Sequence, residues 1–340
     1  MKAMVLCAGF GTRLRPLTDK VPKPLVPLCG VPLLRYNFAL LENAGVKEIV
    51  INTHHLAPAM ERGARAIASE LGLSLEVSRE EKQILGTGGG VRHAQAMLGP
   101  GTFFLLNGDM IFDVDLEAAL ASHRRSGAVA TMVLAPYPRG ATYAAVEVDA
   151  EMNVRRIAGR GAGQDPSLTR THFTGVHVLE PELIARLPAE GESDINRMAY
   201  VRAIHDGAKV NGFLQDGYWG DLGAPRSLLR AHLDLLEGRL PLRRFRPYAD
   251  PFSGCEQRGP GVFVHASARV EAPLRAPTLI QEGAMVEAGA NLGAGVVIGA
   301  RARVDSGAQV ERAVLWEGTH VAAGERVVEQ IAAPGVRLEA

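Results

Sequence analysis

Cysteine is scarce in this chain, and the few cysteines are not arranged for metal or redox chemistry. Cys7, Cys29 and Cys255 lack the close CxxC spacing of zinc and disulfide-exchange sites, and an odd number cannot all pair within one chain. This pattern excludes a disulfide scaffold. It favours reduced thiols in the cores of a protein from a reducing compartment, so we expect a cytoplasmic protein.

Net charge and long apolar runs are also lacking. The 37 lysines and arginines equal the 37 aspartates and glutamates, so no overall field draws the protein to nucleic acid or to an anionic membrane. No apolar run approaches the roughly 20 residues of a membrane helix. Because a strand-like run begins at once, we expect no signal peptide. We therefore expect neither a nucleic-acid partner nor a membrane partner.

The most informative segment is a glycine-rich turn directly after the first apolar run. Leu6 ends that run, and Gly9 and Gly11 allow a tight turn that exposes backbone N–H groups to a ligand. Arg13 follows the last glycine by two positions, and Lys23 stands between two prolines that stiffen its loop. A guanidinium fork and a compact ammonium charge suit the oxygens of a polyphosphate. An ordinary strand-to-helix turn is the alternative, and the turn lacks the Walker pattern Gly-Lys-Ser/Thr.

Strand-like and helix-like segments alternate over the first two thirds of the 340 residues. This order predicts a Rossmann-like, doubly wound α/β sheet with helices on both faces. The predicted strands are residues 3–6, 48–52, 74–77 and 103–106. The predicted helices are residues 33–44, 58–71, 91–98 and 116–126. Ligands of such sheets bind at the carboxyl ends of the strands, where the glycine turn lies.

The C-terminal part follows a six-residue repeat. Apolar residues recur at Ile280, Val286, Leu292, Ile298, Val304 and Val310. Small or aliphatic residues are predicted to lie in the matching inner register at Ala284, Ala290, Val296, Ala302, Ala308 and Val314. A period of six suits a parallel β-helix whose hexapeptides form the sides of a triangular coil. We therefore predict an α/β domain at 1–240, a linker at 241–261 and a β-helix at 262–340. We expect the β-helix to mediate homo-oligomers.

Two acidic residues and a second glycine run complete the candidate motifs. Asp109 follows the apolar strand predicted at 103–106, and Asp221 lies in Trp-Gly-Asp-Leu-Gly at 219–223. The alternative for Asp109 is a helix N-cap or a turn aspartate. Residues 86–90 read Gly-Thr-Gly-Gly-Gly, which permits a flat ring to lie close to the backbone before a helix N-terminus. A plain loop-to-helix junction is the alternative there.

The opening motif closely resembles that of the sugar-1-phosphate nucleotidylyltransferases, or NDP-sugar pyrophosphorylases. The family pattern Gly-x-Gly-Thr-Arg-Leu-x-Pro-Leu-Thr stands at residues 9–18, and Pro-Lys-Pro-Leu follows at 22–25. The acidic motifs and the second glycine run resemble further segments of the family, so the resemblance spans nearly the whole chain. It implies the nucleotide-diphospho-sugar transferase type of sheet, followed here by a left-handed β-helix.

The resemblance implies roles for individual residues. Arg13 would bind the departing pyrophosphate and Lys23 the phosphates at the reacting centre, which makes them the candidate catalytic residues. Asp109 and Asp221 would hold Mg²⁺, which commonly takes one or two carboxylates together with substrate phosphates. The candidate nucleotide contacts are Leu6, Ala8, Gly9, Gly11, Thr12, Gly86, Thr87 and Gly88. The base would lie nearest Ala8, Gly9 and Gly88.

The sugar side departs from the family pattern. Relatives commonly have Tyr-Gly-Val-Val-Glu where this chain has Tyr-Ala-Ala-Val-Glu at 143–147, and Ala-Gly-Arg-Gly at 158–161 replaces the usual Glu-Lys-Pro. Either Arg160 takes over the cationic role of the missing lysine, or it is a solvent-exposed loop arginine. Thr174 and Gly175 resemble the family's Thr-Gly-Ile turn. The candidate sugar contacts are Asn107, Ala144, Glu147, Arg160, Thr174 and Gly175.

The implied reaction joins a nucleoside triphosphate to a sugar-1-phosphate and releases pyrophosphate. The attacking phosphate oxygen is already anionic, so no Ser/His/Asp triad or HExxH motif is needed. The layout most resembles mannose-1-phosphate guanylyltransferases, which predicts GTP with mannose-1-phosphate or a similar hexose-1-phosphate. The alternatives are a UTP- or dTTP-dependent enzyme of the glucose, N-acetylhexosamine or muramate type, and a heptose-1-phosphate guanylyltransferase.

Two hypotheses come from other classes of protein. A non-catalytic regulatory subunit would keep the fold and bind nucleotide sugars, but it would be expected to lose the catalytic charges, which are present in this chain. An acyltransferase would work through the β-helix, with His265 or His320 as the candidate catalytic residue. The short repeat disfavours that hypothesis.

Overall fold

Short runs of apolar and β-branched residues form the central strands, as their composition predicts. In the computed structural model, which describes residues 1–138, 140 and 144–340, the parallel strands lie in the order Phe103–Asn107, Lys2–Leu6, Glu48–Thr53 and Ser74–Arg79. The first three are mostly buried, as expected for parallel strands covered on both faces. The predicted α/β fold is confirmed.

The strand Thr169–Leu179 joins the parallel strands to an antiparallel part of the same sheet. It runs antiparallel to Phe103–Asn107, Ala130–Pro136 and Ala145–Val148. The remaining strands of this sheet are Val154–Ile157, Arg160–Gly161 and Val210–Leu214. The sheet is therefore mixed, and a large apolar core that includes Met4, Phe103 and Tyr200 packs against it.

Helices alternate with the strands along the chain. The α-helices are Leu33–Asn43, Ala57–Leu71, Gly86–His93, Gln95–Leu98, Leu116–Ser126, Pro181–Ile184, Val201–His205 and Pro225–Leu236. Single turns of 3₁₀-helix lie at Thr12–Leu14, Leu17–Asp19 and Lys23–Leu25, and a π-helical turn lies at Asn196–Tyr200. None of the helices in the described ranges is both long enough and apolar enough to cross a bilayer.

One predicted helix differs in its start. We expected a glycine loop followed by a helix at 91–98, but the helix begins at Gly86 and a second short helix follows at Gln95. The N–H group of Leu85, at the N-cap, donates to the Glu80 carboxylate over 2.7 Å. Glycine is a poor helix former, so this local bond and the long-range bond from the Gly88 N–H to the Ser193 carbonyl stabilise the helix here.

The six-residue repeat forms stacked parallel strands, which confirms the predicted β-helix. Each side of the β-helix is a stack of parallel strands, one from each coil. In the longest stack, Thr278 pairs with Val296 in the next coil. The strands are Val262–His265, Arg269–Val270, Thr278–Ile280, Met285–Val286, Asn291–Leu292, Val296–Ile298, Arg303–Val304, Gln309–Glu311, Ala313–Leu315, His320–Val321, Arg326–Val328 and Gln330–Ala333. Antiparallel strands Cys255–Gly259 and Val336–Glu339 pair with the two ends of that longest stack.

The repeat loses one residue near its end, which corrects one expectation. Val296 pairs with Ala313, seventeen positions on, whereas the preceding coil takes eighteen. Ala313 and Leu315 therefore enter the inner core, and Val314, which we placed there, does not. Because side chains alternate across a strand, a shift of one residue exchanges its two faces.

Residue contacts group the chain into two units, which we call the sheet unit and the coil unit. The sheet unit comprises Met1–Gly9, Asn37–Gly108 and Phe112–Trp219. The coil unit comprises Phe10–Tyr36, Asp109–Ile111 and Gly220–Ala340, so it contains both the segment that carries Gly11, Arg13 and Lys23 and the β-helix. The domain boundaries drawn at residues 240 and 262 from the sequence stay a prediction.

Candidate active site

Four charged residues that are distant in sequence meet within the coil unit. The Lys23 Nζ atom lies 2.5 Å from Asp109 Oδ2 and 3.9 Å from Asp221 Oδ1. The Arg13 Nη2 atom lies 3.5 Å from Asp221 Oδ2. The Lys23 side chain is only 7% exposed, whereas that of Arg13 is 62% exposed. The lysine is therefore held inside the cluster, and the arginine extends from it toward solvent.

The glycine turn positions Lys23 by allowing a close approach. Gly11 has a φ of 63°, and a Cβ at this position would lie 3.1 Å from the Lys23 Cβ and 3.0 Å from the Thr18 Cγ2. The Thr18 hydroxyl donates to the Gly11 carbonyl over 2.8 Å, which fastens the turn. Lys23 begins a single 3₁₀ turn after Pro22. The left-handed φ and the crowding together require glycine at position 11.

A second glycine allows Arg13 and Asp221 to meet. A Cβ on Gly223 would overlap the Arg13 guanidinium and would lie 2.7 Å from Asp221 Oδ1. The N–H group of Gly223 donates to the same carboxylate oxygen over 2.8 Å. The Asp-Leu-Gly motif thus orients its aspartate by its own backbone and leaves space for the arginine.

The two aspartates supply hard oxygen donors around one cationic position. The short strands Met110–Phe112 and Trp219–Asp221 pair with each other, which brings Asp109 and Asp221 toward the same place. Across the described ranges, no group of three or more histidine, cysteine or acidic residues is arranged for a metal ion. A pair of carboxylates with open positions suits a cation that also takes phosphate oxygens, as Mg²⁺ does.

The second glycine run lies in the sheet unit, where it contacts the protein's own chain. A Cβ on Gly88 would lie 2.7 Å from Ser193 Oγ and 2.8 Å from Leu187 Cδ2. The N–H group of Gly88 donates to the Ser193 carbonyl over 2.8 Å, and the Thr87 hydroxyl accepts from the Ile195 N–H over 3.0 Å. A Cβ on Gly86 would lie 2.7 Å from the Ser193 carbonyl oxygen. These contacts explain the small residues without any ligand, and the nucleotide role of Gly86, Thr87 and Gly88 stays a prediction.

A buried series of hydrogen bonds in the sheet unit was not predicted from the sequence. The Cys7 N–H donates to Asn52 Oδ1 over 2.7 Å, and Asn52 Nδ2 donates to Glu80 Oε1 over 2.6 Å. Glu80 also accepts from the N–H of Leu85, which precedes the glycine helix. This series ties three strand ends to that helix. A polar residue at the end of a buried strand, such as Asn52, was the signal available in the sequence.

The other nucleotide candidates sit at the end of the first strand. Leu6 is the last residue of Lys2–Leu6. Ala8 is buried, and Gly9 is exposed, with no atom within 4 Å of a Cβ placed on it. Thr12 opens the 3₁₀ turn that carries Arg13. The backbone of Gly9 is therefore accessible from the side that a Cβ would occupy.

Two sugar-side candidates lie at an irregularity in the strand Thr169–Leu179. The register with the neighbouring strand shifts between Phe173 and His177, and Gly175 has a φ of 92°. Thr174 is fully buried, and its hydroxyl donates to the Val133 carbonyl over 2.8 Å. The Thr174 carbonyl accepts from Trp219 Nε1 over 2.8 Å. The hydroxyl and the carbonyl of Thr174 are therefore both already used inside the sheet unit.

Glu147 has a cationic neighbour that the sequence analysis did not name. Its Oε2 atom lies 3.0 Å from Arg156 Nε, and the Arg156 side chain is 13% exposed. Arg160 is exposed in the two-residue strand Arg160–Gly161. Of the remaining candidates, Asn107 is half-buried at a strand end and Ala144 is exposed. Tyr143, which belongs to the same sequence segment, lies outside the described residues.

Burial changes the titration of one histidine beside this region. His177 is buried and its Nδ1 atom lies 2.6 Å from the Tyr200 hydroxyl. Desolvation lowers the pKa of His177 to about 3 and raises that of Tyr200. Both groups are therefore neutral near pH 7, and they act as part of the core rather than as acid or base.

Comparison with known proteins agrees with this arrangement. Residues 2–238 match the model of the family described as nucleotidyl transferase. The chain is 33% identical over 240 residues to the mannose-1-phosphate guanylyltransferase of Mycobacterium tuberculosis, which covers 70% of this chain and 66% of the relative. It is 30% identical over 234 residues to the UTP–glucose-1-phosphate uridylyltransferase of Synechocystis, covering 66% of this chain and 60% of that one.

A vertebrate relative matches to a similar extent. The mannose-1-phosphate guanylyltransferase catalytic subunit beta of Danio rerio is 31% identical over 231 residues, covering 67% of this chain and 63% of the relative. The chain thus spans just under two thirds of the length of these relatives. The matched family segment includes all four charged residues of the cluster, Arg13, Lys23, Asp109 and Asp221. The chain therefore belongs to the nucleotidyl transferase family.

Proposed function

We propose that this protein is a sugar-1-phosphate nucleotidylyltransferase that uses GTP and mannose-1-phosphate, or a similar hexose-1-phosphate. The cluster in which Lys23 contacts Asp109 and faces Asp221, with Arg13 beside it, carries the proposal. Two cations, one buried and one exposed, suit the phosphates of a nucleotide, and two carboxylates suit a divalent ion. Family membership and the names of the relatives support the same class of reaction.

The proposed reaction needs alignment and neutralised charge rather than a protein nucleophile. An oxygen of the sugar-1-phosphate attacks the α-phosphorus of the nucleoside triphosphate and forms a new P–O bond. The bond from the α-phosphorus to the oxygen of the β-phosphate breaks, and pyrophosphate leaves with that electron pair. Lys23 would hold the phosphates at the reacting centre, and Arg13 would stabilise the leaving pyrophosphate.

The residues present fit the divalent ion that enzymes of this family generally use. Asp109 and Asp221 already flank a positive charge, that of Lys23, so the site accommodates a cation between two carboxylates. We propose Mg²⁺ as the ion and these aspartates as its protein ligands. When bound, it would neutralise phosphate charge as a Lewis acid. Lys23 would then share the two carboxylates with the ion and remain available to the phosphates.

One observation favours a second choice of substrates. The Synechocystis relative is named a UTP–glucose-1-phosphate uridylyltransferase, and its identity to this chain is close to that of the guanylyltransferases. UTP with glucose-1-phosphate is therefore the alternative pair. The base would contact the backbone of Ala8, Gly9 and Gly88, and backbone atoms alone do not separate guanine from uracil. We also propose that the protein forms homo-oligomers through the β-helix.

A pyrophosphate-release assay on the full chain tests the proposal. GTP, UTP, dTTP, ATP and CTP are each combined with mannose-1-phosphate, glucose-1-phosphate and N-acetylglucosamine-1-phosphate, with Mg²⁺ and again with excess EDTA. We expect the highest rate with GTP and mannose-1-phosphate and loss of that rate in EDTA. Release with none of the pairs would overturn the enzyme assignment and favour a non-catalytic nucleotide-sugar-binding subunit. A preference for UTP would overturn the proposed choice of GTP but would support the proposed class of reaction.

A further inference from the structure

A short hairpin follows the loop that carries Lys23. Its strands, Pro27–Leu28 and Val31–Pro32, are joined by Cys29 and Gly30, whose φ values are 48° and 80°. Left-handed values at both central residues are typical of a tight two-residue hairpin turn. A residue other than glycine rarely adopts such a φ, and it keeps one only where its surroundings hold it. The contacts of Cys29 therefore determine where the tip of this hairpin lies.

Cys29 is fully buried, and its backbone is held from two sides. Its N–H group donates to His232 Nδ1 over 3.0 Å, and its carbonyl accepts from Gln281 Nε2 over 2.9 Å. A Cβ on Gly30 would lie 2.3 Å from Gln281 Nε2, so glycine allows this close approach. His232 belongs to the helix Pro225–Leu236, and Gln281 directly follows a strand of the β-helix. The tip of the hairpin is thus bonded to both elements.

The hairpin and the helix each lie next to a member of the charged cluster. The hairpin begins four positions after Lys23, and the helix Pro225–Leu236 begins four positions after Asp221. The same helix approaches the β-helix, because a Cβ on Gly295 would lie 2.9 Å from Leu233 Cδ2. The β-helix therefore contacts the segments that follow both Lys23 and Asp221, whose charged groups lie 3.9 Å apart.

We propose that Gln281 is a positioning residue for Lys23, so that the β-helix helps to set the geometry of the charged cluster in addition to any role in assembly. Asp109 and Asp221 hold the ammonium end of Lys23. The hairpin holds the backbone from which the flexible stem of the lysine begins. Gln281 touches no substrate and acts only through the hairpin. Its effect on the rate rests on the function proposed above, whereas its effect on the position of Lys23 does not.

The variant Gln281→Glu tests this link, because it replaces the amide donor with a carboxylate that faces the Cys29 carbonyl. The two side chains are equal in size and Gln281 is half-buried, so the fold should persist. In the full chain labelled with ¹⁵N-lysine, we expect the ammonium signal of Lys23, identified with Lys23→Arg, to shift. The ammonium signal of Lys2, which donates to the Met97 carbonyl over 2.7 Å in the sheet unit, should not move. Gln281→Ala, which removes the donor without adding a charge, should shift the Lys23 signal to a smaller extent.

Reaction rates and the mass in solution complete the test. We expect kcat for pyrophosphate release to fall about 10-fold in Gln281→Glu, since a small misplacement at the reacting centre is costly. Thermal unfolding should change little, and the mass in solution should stay the same. The control Gln309→Glu makes the same exchange in another strand of the β-helix and should keep both kcat and the Lys23 signal.

The Lys23 signal separates this proposal from the proposed function. If that signal does not move in either Gln281 variant, the proposal is overturned. A fall in kcat that accompanies a changed mass in solution also overturns it, because the effect would then come from assembly. If the unmodified protein releases no pyrophosphate and the Lys23 signal still moves, the proposed function fails and the link between Gln281 and Lys23 is supported.

Discussion

The ammonium group of Lys23 lies 2.5 Å from the carboxylate of Asp109, although 86 positions separate the two residues. The lysine is almost completely buried, so its charge is balanced by Asp109 and Asp221 rather than by water. In the proposed reaction this buried cation would meet the phosphates of the nucleotide, in a chain with no net charge. The variants below separate the chemical role of this cluster from its structural role.

Replacing Asp109 with asparagine tests the proposed metal ligand. Asp109→Asn keeps the shape but removes the negative charge, so we expect kcat to fall about 100-fold or more. The Mg²⁺ concentration that gives half-maximal rate should rise as well, because one of two carboxylates is lost. Steady-state rates of pyrophosphate release over a series of Mg²⁺ concentrations measure both effects.

Asp216→Asn is the matched control for this variant. Asp216 is exposed and precedes Asp221 by five residues, so the rate and the Mg²⁺ dependence of Asp216→Asn should equal those of the unmodified protein. An Asp109→Asn enzyme that keeps its full rate at the same Mg²⁺ concentration would show that this carboxylate does not hold the ion.

Adding one methyl group at Gly223 should impair the reaction more than the fold. In Gly223→Ala the new Cβ overlaps the Arg13 guanidinium, which is the exposed end of a flexible side chain and moves at little cost. The displaced guanidinium no longer meets Asp221, so we expect kcat to fall about 10- to 100-fold. Thermal unfolding should change little. Gly101→Ala, where no atom lies within 4 Å of the added Cβ, is the control and should keep both properties.

A substitution at Gly88 should impair the stability of the fold, because the atoms close to this glycine belong to the packed interior of the sheet unit. In Gly88→Ala the added Cβ would lie within 3 Å of Ser193 Oγ and Leu187 Cδ2, both inside the sheet unit. We expect the free energy of unfolding to fall by about 1–3 kcal/mol in urea titrations without any ligand. Unchanged stability together with a raised KM for the nucleotide would mean that this glycine serves the ligand alone.

Local patterns predicted much of this fold. The central strands, most helices and the coil of hexapeptides depend on short-range periodicity, and their positions agree with the predictions to within a few residues. The sequence context of Arg13 and Lys23 marked them as candidates, but their meeting with Asp109 and Asp221 was predicted only through the family resemblance. Lys23, Asp109 and Asp221 lie far apart in sequence, and no periodic signal connects them.

The features that the sequence did not predict depend on pairings between distant segments. The ion pair of Glu147 with Arg156 depends on the register of two antiparallel strands, and the buried hydrogen bond from Asn52 to Glu80 depends on packing of the glycine helix. Val314 was misplaced because one residue is lost from a coil, which exchanges the inner and outer faces of a strand. Each of these features is set by contacts between distant segments, which a local sequence pattern does not predict.

Buried histidines predict how stability changes with pH. The pKa of His177 falls from 6.5 to about 3 in the folded protein, so between these values the unfolded chain binds a proton that the native protein does not. The free energy of unfolding should therefore decrease as the pH falls below 6.5, by up to about 1.4 kcal/mol per pH unit for this histidine. Full stability from this source is present above pH 6.5.

Urea titrations at pH 7 and pH 5 on the unmodified protein and on His177→Gln measure this contribution. The variant cannot be protonated at this position, so its stability should decrease less between the two pH values, by about 1–2 kcal/mol. His205→Gln is the control because the His205 side chain is 85% exposed, and its pH dependence should match that of the unmodified protein. Equal slopes for all three proteins would mean that His177 is protonated without cost, and that its burial does not exclude the charged ring.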